Sequence, residues 1–134
     1  MLFRSLAEML PDLQAAVGPE CSVDAYTDLV GFVALWEAAV SEVAPDLVGR
    51  VGGHADIAET SEILCIRPDL VREERAEAGH MQVFDDALRD RIFGEGLRSV
   101  TPNGILGDAR GASEAIGLAC IAHAAQGIVE VLES

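Results

Sequence analysis

The chain has 134 residues, 50% of them hydrophobic and 24% charged, which suits one globular core and is too short for two. Its formal charge of −14 sets 23 acidic residues against nine basic ones, all arginine. A field of that sign repels phosphate backbones and anionic headgroups, so nucleic acid and membrane surfaces are not expected partners, and the lack of lysine excludes Schiff-base chemistry and a P-loop lysine.

In chain order, Leu2, Leu6, Met9, Leu10, Leu13 and Val17 recur at helical spacing and Gly18-Pro19 supplies a stop, which predicts an amphipathic first helix without a cap. Cys21 to Tyr26 alternates and predicts a short strand. Asp28 to about Val43 is the next helix, with Trp36 packed inside and Pro45 as terminator. Val48 to Gly53 is read as a loop leading into a helix over Ala55 to Ile66, stopped by Pro68. Residues 72 to 90 are dense in charge and are expected to form a solvated surface segment. Ser99 to Gly107 is rich in turn formers and predicts a loop, followed by a last helix from Ala112 to Leu132 whose small residues allow close approach to a neighbour.

Helices interleaved with short strands indicate an α/β fold, and the absence of repeats or low-complexity linkers makes residues 1–134 a single domain or a domain fragment. Cys21, Cys65 and Cys120 are odd in number and lie among apolar or small neighbours, as buried, reduced cysteines of a cytoplasmic protein do. Acidic residues soon after Met1 and the lack of a long apolar run predict no signal peptide, and no apolar run is read as reaching transmembrane length.

Glycines, a histidine and carboxylates converge in Gly52-Gly53-His54-Ala55-Asp56-Ile57-Ala58-Glu59-Thr60-Ser61. A paired glycine lets the backbone approach a ligand, which makes Gly53 a candidate substrate contact. His54 is the candidate general acid or base, because an imidazole can exchange protons near neutrality; the alternative is a histidine that only caps the helix. Glu59 does not share a helical stripe with His54, so it either turns toward backbone or a nearby loop and orients the site, or is a simple first-turn carboxylate. Asp56 is read as such a carboxylate. His80 is expected to be solvated, His123 packed or at the surface, and Asp108 a cap for the last helix. No His-x-His, His-Glu-x-x-His or Cys-x-x-Cys spacing is present, so a metal held by this chain alone is not expected.

The stretch from His54 to Ser61, continued by Arg67-Pro68-Asp69-Leu70-Val71, resembles the His-Ala-Gly-x-x-Glu-Thr-Ser and Arg-Pro-x-Leu-Val motifs of the creatininase family. Asn103-Gly104-Ile105-Leu106-Gly107-Asp108-Ala109-Arg110 is similar to that family's Gly-Val-x-Gly-Asp-Pro-Arg turn, with Ala109 in place of proline, and Asp56 stands at the usual glycine. The resemblance runs from about Leu2 to Leu132 and covers the carboxy-terminal half of the family's usual length. It implies a partial creatininase-like α/β/α layer, mostly helical with a few short strands.

It also implies hydrolysis of a C–N amide bond of a small-molecule substrate, with a divalent metal, zinc or manganese, activating water. The family's metal ligands, an early Glu-x-His pair, an aspartate and an Asn-Gly-His-x-x-Asn segment, have no counterpart in this sequence. His54 and Glu59 then become the catalytic candidates, and His54 with Gly53 the substrate contacts. Gly53, Arg50 and Val51 stand where creatininase has a glutamate, a tryptophan and an aspartate, which widens the implied substrates to other amides and N-formyl compounds. The expectation is a hydrolase inactive alone, acting as a homo-oligomer or with a complementing chain. Two alternatives are a non-catalytic subunit that buries a sheet edge in a partner chain, and a freestanding acidic binding domain in which His54 only caps a helix.

Overall fold

Apolar residues at three- and four-residue intervals dominate the sequence, and in the computed structural model, which describes residues 2–133, they build a mostly helical α/β fold. The elements are α1 (Leu2–Val17), α2 (Leu29–Val43), β1 (Val51–His54), α3 (Ile57–Ile66), α4 (Asp86–Glu95), β2 (Leu106–Gly107) and α5 (Glu114–Leu132). Short 3₁₀ turns at Pro45–Arg50, Pro68–Leu70, Glu73–Arg75 and Leu97–Ser99 join them.

The core forms where α5 packs on both α2 and α3. Val33, Trp36 and Val40 from α2 meet Ile57 and Ala58 from α3 and Ile116 and Cys120 from α5, all buried. Gly117 is required for this approach, because a Cβ there would lie 2.1 Å from the Ser61 carbonyl oxygen. Asp28 caps α2 by accepting from the Gly31 N–H at 2.8 Å. Phe32 stands edge-on to Trp36, with ring centroids 5.0 Å apart.

The strand expected over Cys21 to Tyr26 does not form. The Gln14 side chain of α1 donates to the Gly18 and Cys21 carbonyls and accepts from the Val23 N–H, so one amide satisfies groups that a strand would have paired with a neighbour. α1 itself lies at the periphery, with Met9, Leu13 and Val17 exposed.

Conversely, Val51 to Gly53 is a strand rather than the expected loop. β1 pairs antiparallel with β2 in the register Val51 to Gly107 and His54 to Leu106, with an irregularity between the two pairs. Residues 77–80 run along the other side of β2: Gly79 N–H donates to the Gly107 carbonyl at 2.8 Å and His80 N–H to the Ile105 carbonyl at 2.9 Å. The charged stretch is therefore anchored in its middle, and its end folds into α4, which buries Leu88 and Ile92.

Three further expectations are corrected. Cys21 is exposed and Cys65 half-buried, so only Cys120 fits the buried pattern; all three are free thiols. The cap of α5 is Ser113, whose hydroxyl accepts from Ile116 N–H, and not Asp108. By length and composition α5 is apolar enough to cross a membrane, because no Asp, Glu, Lys or Arg stands between Glu114 and Glu130 and its small residues and histidine mask the run. In this fold one face of α5 is core, while Leu118, Ile121, Val129 and Leu132 are exposed.

Candidate functional site

The site grows out of the junction between β1 and α3. Gly53 has φ +94°, a conformation that side chains disfavour, and a Cβ there would also crowd Val33 and Phe84 at 2.9 and 3.1 Å. Ala55 follows with φ +53°. These two left-handed residues reverse the chain, so that His54 ends the strand while the first turn of α3 comes back past it.

Asp56 holds the reversal. Its Oδ2 accepts from Gly52 N–H at 2.7 Å and Gly53 N–H at 2.9 Å, and its Oδ1 accepts from Ala58 N–H at 2.9 Å and Glu59 N–H at 3.1 Å. The residue is fully buried. It is thus the N-cap of α3 and a strand tie at once, which corrects both its reading as a first-turn carboxylate and the notion that His54 caps the helix. Since the Gly53 N–H is committed to Asp56, that donor is not free to meet a ligand.

Glu59, at the third helical position, reaches back: its Oε2 accepts from Ala55 N–H at 2.5 Å and lies 3.3 Å from His54 Nδ1. His54 and Glu59 therefore meet although no helical stripe joins them, because His54 stands on the strand. Their side chains are 51% and 37% exposed, open to a small molecule. With Nδ1 facing Glu59, Nε2 is the ring nitrogen left for proton exchange. The Asp56-Ile57-Ala58-Glu59 spacing matches a capping box, which announces the Asp56 cap on Glu59 N–H; the return bond of Glu59 goes to Ala55 N–H, one residue before the box's usual donor.

A second layer of carboxylate lies along α3. Glu62 Oε1 accepts from the Trp36 indole N–H at 2.9 Å. Burial pushes the Glu62 carboxyl above its usual range; the Trp36 hydrogen bond offsets part of this, and the charges of Glu59 and Asp56 add to it. A raised carboxyl favours the fold while protonated, a contribution present below the ordinary glutamate value and lost as pH rises through the folded one. Glu62→Gln keeps an acceptor for Trp36 and removes the charge, so it is expected to raise the melting temperature at neutral pH, with the gain vanishing below about pH 4. Thermal melts at both pH values check this; a lower melting temperature at neutral pH would contradict it. Cys120 is pushed up to about 12, by burial first and then by Glu62 and Asp56, so it is a packing thiol and not a nucleophile.

Asp108 is buried beneath the turn before α5. Arg110 forks onto it, with Nε donating at 2.9 Å and Nη2 at 2.7 Å, and Arg50 Nε stands 3.8 Å away. The Arg110 hydrogen bond holds the Asp108 carboxyl below its usual range despite burial, a contribution to stability present above the unfolded value and lost as pH falls through the folded one.

No hydrogen bond or ion pair joins the other histidines to this pair among the described residues, although His80 bridges Leu106, the residue opposite His54 in the sheet. His123 Nε2 is 3.0 Å from Glu42 Oε2, bridging α5 to α2. His80 is half-buried rather than solvated, and its Nε2 is buried without a hydrogen-bond partner among the described residues. Beside Glu59 opens a cleft of about 500 Å³, walled by Ala55, Thr60 and Ile63, by residues 70–73, 75 and 76, and by residues 109–112. Among the described residues no group of three or more His, Cys, Asp and Glu side chains could hold a metal ion.

Compared with known proteins, residues 3–132 match the family model described as "Creatininase: Creatinine amidohydrolase". No curated protein and no solved structure matches the chain.

Proposed function

This chain belongs to the creatininase family, and from that premise we propose that it is the part of a metal-dependent amidohydrolase that handles protons during cleavage of a C–N amide bond. The observation that carries the proposal is the 3.3 Å contact between His54 Nδ1 and Glu59 Oε2 at an exposed strand end. Amide hydrolysis needs a proton delivered to the departing nitrogen as the C–N bond breaks, after water has added to the carbonyl. His54 Nε2 gives that proton, and Glu59 stabilises the charged ring and holds its orientation. Glu59 is itself fixed by Ala55 N–H, so the pair is set before substrate arrives.

The family's divalent metal supplies water activation and carbonyl polarisation where it is bound. The described residues offer no grouping that fits it, and we assign its ligands to other polypeptide, so that the isolated chain is inactive. Amine release from N-formyl and cyclic amide substrates, with zinc or manganese added, tests this: turnover is expected only when a polypeptide carrying Glu-x-His and Asn-Gly-His-x-x-Asn segments is mixed in. Turnover by the chain alone would refute the division of labour, and none in any mixture would refute the hydrolase reading.

A second reading, a non-catalytic subunit or interaction protein completing or regulating a partner chain, draws on a different observation. Leu118, Ile121, Val129 and Leu132 leave an exposed apolar strip on α5, the kind of surface that marks a contact with another chain when it is contiguous. Under this reading the strip is covered by another chain and His54 does no chemistry.

A further inference from the structure

The cleft beside Glu59 carries an electrostatic anomaly. The whole chain has nine arginines against 23 acidic residues, yet this one cleft is lined by three arginines, Arg72, Arg75 and Arg110, against two carboxylates, Glu59 and Glu73. The two carboxylates and one of the arginines can be accounted for separately. Glu59 faces Ala55 N–H and His54, Arg110 is forked onto Asp108, and Glu73 sits exposed on a 3₁₀ turn.

Arg72 and Arg75 remain. The Arg72 guanidinium has no hydrogen bond or ion pair among the described residues. Arg75 has only a 3.9 Å contact with Glu74, both side chains more than two-thirds exposed, an arrangement worth little in water. Apart from Thr60, the other side chains of the wall are apolar, among them Ile63, Leu70, Val71 and Ala112.

We propose that this cleft binds the carboxylate of a small organic acid, with Arg72 and Arg75 gripping the charge and Ile63, Leu70 and Val71 covering the apolar remainder. A guanidinium presents paired N–H donors that match a planar carboxylate. A dianion such as phosphate is disfavoured, because Glu59, Glu73 and the net negative field all oppose a second charge. Because Glu59 borders both this cleft and His54, the inference deepens the amidohydrolase reading by naming the substrate class, an amide that also bears a carboxylate, and in that respect rests on it.

Binding needs neither metal nor turnover, so it is tested apart from the hydrolase reading. Isothermal titration of the metal-free chain with N-acetyl-leucine is expected to give measurable binding, and N-acetyl-leucinamide, lacking the charge, to bind roughly tenfold more weakly. Arg72→Ala and Arg75→Ala each weaken binding of the acid several-fold without changing the melting temperature, Arg98→Ala changes neither affinity nor melting temperature, and added salt weakens binding. His54→Ala, which lowers turnover about a hundredfold or more under the hydrolase reading, still binds the acid, because the histidine does not line the cleft. Equal binding of acid and amide, no binding of either, full affinity in the Arg72→Ala and Arg75→Ala variants, or tighter binding of inorganic phosphate than of the acid would each overturn the assignment.

Discussion

Asp56→Ala is expected to lower the unfolding free energy by about 3–5 kcal/mol. Four backbone N–H groups, from Gly52, Gly53, Ala58 and Glu59, converge on this one carboxylate, which has no exposed surface. Loss of an N-cap alone costs about 0.5–2 kcal/mol, and each donor left buried without an acceptor adds about 1–3 kcal/mol, less where the cavity admits water. Against a total of about 5–15 kcal/mol for a domain, that is a large share.

Asp56→Asn separates the two roles. Its carbonyl oxygen can still cap Ala58 and Glu59, but its amide N–H₂ then faces two further donors at Gly52 and Gly53, so the variant is expected to recover only about half of the loss. Urea titrations followed by far-ultraviolet circular dichroism measure both variants. A midpoint for Asp56→Ala indistinguishable from the wild type would show that the strand donors find other acceptors.

His54→Ala is expected to reduce turnover of the completed enzyme about a hundredfold or more. The His54 side chain is half exposed, so its removal leaves stability near the wild-type value. In the proposed function Glu59 acts through the ring, as a positioning residue, so Glu59→Gln is expected to cost about tenfold, the amide oxygen still accepting from Ala55 N–H while the charge on the imidazolium's partner is gone. The discriminating measurement is the double variant. If Glu59 serves His54, the double variant turns over no more slowly than His54→Ala alone, whereas multiplicative losses would give Glu59 an independent role. Wild-type turnover in His54→Ala would remove the histidine from the chemistry.

Four of the five helices were legible because each carries a repeating apolar face that needs no knowledge of the rest of the chain; α4 was read as part of a solvated charged segment, because its five charged residues hide the two, Leu88 and Ile92, that it buries. The Cys21 to Tyr26 alternation shows the opposite case. A period of two specifies a strand only when a partner presents free backbone groups, and here the Gln14 side chain supplies them instead. β1 was hidden for a related reason: its central residues are two glycines with no side-chain pattern, and its identity comes from pairing with the distant Leu106–Gly107.

At the site, His54 and Glu59 could be singled out by residue type and by resemblance, but not their meeting. That meeting depends on Ala55 at φ +53°, a conformation that nothing about alanine predicts. The Asp56-x-x-Glu59 spacing was the usable clue, and it identifies Asp56 as a cap rather than a surface charge. Arg72 and Arg75 read as solvated because a run of mixed charge does not say which of its members faces a cleft.

The two N–H groups that Asp56 gathers have an implication for how this chain can be joined by another. An added strand docks by finding unused donors and acceptors along an edge, and at Gly52 and Gly53 the donors are already taken by an internal carboxylate. β-augmentation across the glycine pair would have to strip away the residue that starts α3. A companion polypeptide meeting this edge is therefore steered toward side-chain surfaces, such as the exposed strip on α5, and the molecule carries its own safeguard against edge-to-edge aggregation at the junction of β1 and α3.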